Sequence, residues 1–227
     1  MRLLFVFLLA LVSAAAQPAP AAGHGWRDLF NGKNLDGWES VGEGFWTVMR
    51  DGTLAGQRDI TAQPDLSWTR AKYLEWLYTQ AWLYTKQDFG EFDLRLEYWL
   101  PFRGNSGISI RDSSRARYAV TFPGVGRRTP SKIGYEIQLA NQYPDNYPTG
   151  SVYGLQKSET GYQIDNDWNT IELQIRNDKI RIKLNGHWVA EHPGEPGRPL
   201  TGPIGLQLHD RYSVALFRHV RIREITR

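Results

Sequence analysis

The feature that most constrains this chain is a side-chain alternation of period two, repeated in short segments that turn residues interrupt. Successive side chains of a strand point to opposite faces, so such alternation marks a strand with one face in a core. Glu91 to Leu100 keeps it throughout, with Phe92, Leu94, Leu96, Tyr98 and Leu100 on one side. Trp168 to Arg176, Lys179 to Leu184 and His187 to Glu191 are joined by Asn177-Asp178 and Asn185-Gly186, both hairpin turn signals. Phe45 to Met49 and Thr53 to Gln57 flank Arg50-Asp51-Gly52 in the same way. Val214 to Ile225 reads as a closing strand, bulged near Arg218 where the alternation changes phase. Many short strands with little helix predict an all-β sandwich. Asp65 to Lys86 departs from the pattern. It carries Trp-Leu-Tyr-Thr at Trp76 to Thr79 and again at Trp82 to Thr85, and Tyr73, Trp76, Leu77 and Gln80 fall at helical spacing. This predicts a short helical or loop insertion leading into a strand, its aromatics either packed on the sandwich or covering a cleft.

The N-terminus reads as a targeting segment. Arg2, the apolar run Leu3 to Val12 and Ala14-Ala15-Ala16 predict a signal peptide over 1–16, with an Ala/Pro-rich disordered leader over 17–25 and one domain over 26–227. The apolar run is too short to span a bilayer, which takes ~20 residues. The chain has no cysteine, which excludes lipidation at the cleavage site, disulfides and thiolate metal sites. A periplasmic or secreted protein that does not span the membrane is expected. The formal charge of +3 is too mild to imply nucleic acid. Seven basic residues from Arg103 to Lys132 (Arg103, Arg111, Arg115, Arg117, Arg127, Arg128 and Lys132) face only Asp112, which reads as a solvated loop or an anion-binding rim.

Three segments carry polar residues opposite an apolar face. Gly134 to Leu139 sets Glu136 and Gln138 against Tyr135, Ile137 and Leu139. Ser106 to Arg111 sets Ser109 and Arg111 against Ile108 and Ile110, and Ile204 to His209 sets Gln207 and His209 against Leu206 and Leu208. If they share a sheet, a carboxylate, an imidazole, a guanidinium and two amides line one surface. Ordinary glycoside hydrolysis needs two carboxylates at a defined separation. The position alternate to Glu136 is Gln138, which cannot be the second acid. Glu91, Asp93 and Glu97 do share a strand face, but Arg95 shares it too, which reads as an outer surface with cross-strand ion pairs. Arg111 could instead be a structural partner of a buried Glu136. Tyr153 is a platform or a core residue, and Glu136 with His209 could hold a divalent ion, two scattered ligands being a weak signal.

A series of short motifs then resembles one family. Leu29-Phe-Asn-Gly-Lys-Asn-Leu-Asp-Gly-Trp38, Phe45-Trp-Thr-Val, Asp51-Gly-Thr-Leu, Phe89-Gly-Glu-Phe-Asp-Leu-Arg-Leu-Glu97, Gly104-Asn-Ser-Gly-Ile108, Gly134-Tyr-Glu-Ile-Gln138, Trp168-Asn-Thr170, Leu184-Asn-Gly186 and Ile204-Gly-Leu-Gln207 are similar, in order, to the 3-keto-disaccharide hydrolases. The resemblance implies a concanavalin-like jelly-roll sandwich of two curved antiparallel sheets with carbohydrate on the concave face. It implies cleavage of 3-keto-glycosides by elimination, hydration or both, with Glu136 and His209 as acid and base in either assignment and Arg111 stabilising an enolate oxygen. Gln138, Gln207, Asn105, Tyr153 and Trp82 would hold the sugar. A divalent metal ion on Glu136 and His209 is a possible cofactor. The family's commoner Gln-x-His-Gly ending stands here as Gln207-Leu-His-Asp210. The other readings are a non-catalytic, lectin-like sugar-binding module with Trp76, Trp82 and Tyr153 as platforms, and a structural domain of an envelope assembly.

Overall fold

The computed structural model describes residues 25–58, 61, 63–120 and 130–225. The expected signal peptide and leader lie outside these residues apart from Gly25, as do Arg127 and Arg128. In chain order the elements are β1 (Arg27–Asp28), β2 (Trp38–Val41), β3 (Gly44–Val48), β4 (Leu54–Arg58), α1 (Arg70–Leu77), β5 (Ala81–Thr85), β6 (Phe92–Trp99), β7 (Asn105–Ile110), α2 (Pro130–Ile133), β8 (Tyr135–Ala140), β9 (Asn169–Arg176), β10 (Lys179–Leu184), β11 (His187–His192), β12 (Ile204–Leu208) and β13 (Val214–Glu224). They form two antiparallel sheets in a jelly-roll sandwich, as expected. One runs β11-β10-β9-β6-β13-β4-β3 with β1 also on β13; the other runs β2-β5-β12-β7-β8.

The alternation in the sequence is what seals the sandwich. Phe92, Leu94, Leu96 and Tyr98 of β6 meet Ile108, Ile110, Tyr135, Ile137, Leu139, Leu206 and Leu208 of the second sheet in one buried cluster. At roughly 1.5–3 kcal/mol for each large apolar side chain removed from water, this face carries most of the stabilisation. The hairpins close at the turns foreseen: Asn177 and Asn185 take positive φ, and β13 shifts register between Arg218 and Arg221, where His219 has φ 52°. On the outer face of the larger sheet Asp93 lies buried under Arg176 and Arg223, at 2.7 and 2.5 Å, and Glu97 pairs with Arg218 at 2.7 Å. Those acids are a paired surface, as their pattern with Arg95 implied.

The insertion is a helix followed by a strand. Thr69 caps α1 by accepting from the Lys72 amide at 3.3 Å, satisfying one of the free first-turn donors. Buried Arg58 donates to the Thr79 carbonyl at 2.5 Å and so fastens the helix exit to the larger sheet.

What positions the site is the second face of the smaller sheet. By alternation Trp82, Tyr84, Gly205, Gln207, Gly107, Ser109, Glu136 and Gln138 all point away from the core. Half of this face is covered by residues 112–120, which bring Ala116 and Ala119 onto Trp82 and Tyr84. Tyr84 crosses over Gly205, its cross-strand neighbour, and donates to Ser109 Oγ or Asp112 Oδ2 at 3.2 and 3.0 Å. Arg115, foreseen as part of a solvated loop, instead bonds the Thr85 and Lys86 carbonyls and Asp88. A Cβ on Gly205 would lie 2.5 Å from the Tyr84 ring. Gly205→Ala is therefore expected to destabilise the fold by about 1–3 kcal/mol, the usual penalty of overpacking, read as a lower urea midpoint at unchanged slope.

Candidate active site

The other half of this face holds the residues of interest, largely buried. Register places Glu136 on β8 opposite Ser109 of β7, and Gln138 opposite Gly107. Gln207 of β12 reaches across the intervening strand and donates from Nε2 to Glu136 Oε1 at 2.8 Å. The crossing depends on Gly107, because a Cβ there would stand 2.8 Å from Glu136 Oε1 and 3.2 Å from Gln207 Oε1. His209, two residues beyond Gln207, emerges on the same side. Its ring is wedged edge-on between Tyr78 and Tyr143, with centroids 5.8 and 5.6 Å away, and its Nδ1 lies 3.3 Å from Asp210 Oδ2.

The electrostatics follow from burial. Only 6 % of Glu136 is exposed, and burial pushes its carboxyl up to about 7. The charge of His209 and the Gln207 hydrogen bond oppose that rise, while Asp145 and Asp112 add to it. Tyr153 and Tyr143 are both pushed up to about 12, first by burial and then by nearby carboxylates, Asp145 for Tyr153 and Asp210 for Tyr143. Burial acts to raise Asp210 as well, but His209, the Tyr212 amide and Ser213 outweigh it and hold this carboxyl below its ordinary value.

The face also carries polar atoms without partners. Gln138 Nε2 and Gln207 Oε1 are buried and make no hydrogen bond, and buried Asn105 has no partner beyond the Tyr143 hydroxyl. Each such group costs about 1–3 kcal/mol if nothing ever satisfies it. Together they form a row of donors and acceptors beside a carboxyl and an imidazole, matched to the hydroxyls of a sugar ring.

The structure thus brings Glu136, Gln138, Gln207, His209, Asn105 and Tyr153 together. It does not bring Arg111 or Trp82. Arg111 takes φ 60°, which breaks the alternation; its Nη2 donates to the Gly90 carbonyl at 3.0 Å, and its charged neighbours are Asp178 and Glu91. It stabilises no oxygen beside Glu136, nor does it pair with that carboxylate. Trp82 is fully buried, stacked on Tyr84 at 5.6 Å under Ala116, and offers no open platform. Among the described residues no three histidine, aspartate or glutamate side chains gather as a metal site, so Glu136 and His209 lack a third such ligand. Asp210, Tyr143 and Asp145 were missed. Asp210 was visible only as the departure from Gln-x-His-Gly, and the other two lie in a Tyr/Pro/Asn-rich loop whose path sequence does not fix.

Comparison with known proteins bears on the fold and the family. Similar solved structures include two described as putative glycosyl hydrolases from Parabacteroides distasonis ATCC 8503. One is 22 % identical over 88 % of this chain and 99 % of its own, with a TM-score of 0.63; the other is 20 % identical over 89 % and 94 %, with 0.62. A Bacillus subtilis protein of unknown function with a galectin-like fold matches at 13 % identity over 89 % and 96 %, with a TM-score of 0.59. At these identities the likeness shows the fold alone. Among proteins of curated function none matches this sequence. The model of the 3-keto-alpha-glucoside-1,2-lyase-like domain matches residues 25–223, nearly the whole chain, and the protein belongs to that family.

Proposed function

We propose that the protein is an exported enzyme that cleaves 3-keto-glycosides by eliminating the C1 substituent and then hydrating the product. The observation that carries this reading is Glu136, held at about 7, sharing one sheet face with His209 and with the unpartnered amide atoms of Gln138 and Gln207. A base works best when its pKa lies near the working pH. A ketone at C3 acidifies the C2 proton. Glu136 removes that proton, leaving its electron pair in the enolate; the enolate re-forms the ketone as C1=C2 forms and the C1–O bond breaks. His209 delivers the proton that the departing oxygen needs, and water then adds across C1=C2. Asp210 accepts from Nδ1–H of His209 and so favours the imidazolium, whose Nε2–H is the proton delivered. Gln207 orients the Glu136 carboxyl, and Asn105, Gln138 and Tyr153 hold hydroxyls. Among the described residues no third histidine, aspartate or glutamate joins Glu136 and His209, and each step above is carried by side chains of the protein. The apolar run Leu3 to Val12 supports export.

The amide row would serve a binding module equally well; the perturbed carboxyl beside a held imidazole favours catalysis. Deuterium exchange at C2 of a 3-keto-glucoside separates the two roles. Glu136→Gln is expected to abolish exchange and cleavage, and His209→Ala to keep exchange while cleavage falls about tenfold or more. Wild-type rates in both variants, or tight binding of unoxidised glycan without turnover of the keto-sugar, would remove the assignment. Asp210→Asn is expected to lower kcat about tenfold with KM little changed, since it alters the readiness of the imidazole and touches no substrate.

Glu136 also makes stability depend on pH. Its folded value of about 7 stands above the ordinary 4.5, so the native state keeps a proton that the unfolded chain has released between those values. Its contribution is complete below about 4.5 and is lost as pH rises through about 7. Glu136→Gln should therefore gain stability over wild type on going from pH 4.5 to 8, by on the order of 1–3 kcal/mol in paired urea titrations.

A further inference from the structure

A cavity of about 200 Å³ continues the same face beyond Gln138. Ala140, the next residue of β8 on that side, forms part of its wall, and so do Tyr143 and Asp145. Tyr143 also packs on His209, and the charge of Asp145 reaches Glu136, so two cavity residues border the acid–base pair as well. On the far wall Tyr162 lies flat against His187, with centroids 4.5 Å apart and planes 20° apart, and so presents a backed aromatic ring. Gln163 lines the cavity beside it, its carboxamide held by the Ala140 carbonyl at 2.8 Å and the Tyr98 hydroxyl at 3.0 Å. The charged side chains lining the cavity are Asp145 and Glu159, both carboxylates.

We propose that this cavity is the leaving-group subsite, and that it accepts a neutral sugar or polyol attached at C1 in preference to an acidic one. The inference rests on the elimination reading above. A backed aromatic ring with carboxylate and carboxamide acceptors suits a ring that is apolar on its faces and hydroxylated at its rim. Two carboxylates without a lining cation repel a uronate or phosphate leaving group.

The test compares three 3-keto-glucosides whose C1 substituents are methyl, a neutral hexose and a hexuronic acid. Thr160 is exposed, so Thr160→Trp fills the cavity without entering the core, and Tyr162→Ala removes the ring. Both variants are expected to lower kcat/KM for the hexoside about tenfold while the methyl glycoside changes less than about twofold. Wild type should favour the hexoside over the hexuronide, and Glu159→Lys should narrow that preference. Parallel losses on methyl and hexosyl substrates, or no loss on either, would overturn the subsite. If wild type cleaves none of the three, the elimination reading fails and binding decides the subsite. Saturation-transfer NMR with an unoxidised neutral disaccharide should then show contact that Thr160→Trp removes, and contact unaffected by that variant, or none, would overturn it.

Discussion

The hydrogen bond from Gln207 to Glu136 is the contact on which the rest of the site depends. It joins two strands that are not neighbours, passing over β7 at the one position where a side chain would block it. Burying a carboxylate with a single neutral partner is costly, and the fold meets that cost by letting the group keep its proton to about pH 7. The apolar side of the same strands supplies the compensation, because Ile137, Leu206 and Ile108 lie back to back with Glu136, Gln207 and Gly107. The strain of the site is thus spread over a sheet that the core already holds flat against its partner.

A sheet face that was open along its whole length would hydrate that carboxyl and return it to an ordinary acid. The segment over Trp82 and Tyr84 prevents this. Asp112 fixes its start through the Ser114 and Ala116 amides and the Tyr84 hydroxyl, and Arg115 clamps its middle to the end of β5. Trp82, which looked like a sugar platform, is therefore part of a dry lining. Its charge matters as well as its bulk: buried Asp112 is one of the two carboxylates that keep Glu136 high, against the pull of His209. The proton affinity of the site is a balance among residues from four separate stretches of chain.

That division explains what the sequence could and could not reveal. Strands, turns and the bulge at Arg218 were legible because alternation, Asn-Gly chemistry and a phase change are local properties. The polar faces of β8 and β12 were legible for the same reason, and bringing them onto one surface, with β7 between them, required only one shared sheet. Arg111 was misread because the alternation argument assumed that the strand continued; a positive φ at its end turns the side chain toward Gly90. Trp82 was misread because alternation reports which face a side chain takes, not what lies above it. Asp210 and Asp145 act through space from loops, where no period constrains position.

On the polar face of β8 Glu136 shares its strand with the amide Gln138 and not with a second carboxylate, which bears on the chemistry. In ordinary glycoside hydrolysis one acid protonates the leaving oxygen while a fully ionised partner attacks or activates water. Here the alternate strand position is Gln138, and the carboxylate that approaches from a loop, Asp145, raises Glu136 instead of acting as an independent nucleophile on its strand. A carboxyl held at about 7 beside an imidazole can move protons at neutral pH. Against an unactivated sugar carbon such a base is far too weak, because the resulting carbanion has nowhere to place its charge. The proposed chemistry consequently requires a substrate in which a neighbouring carbonyl already accepts that electron pair. On that proposal an oxidation at C3 precedes the reaction, and the neutral amides around Glu136 are suited to holding the product of that oxidation without ionising against it.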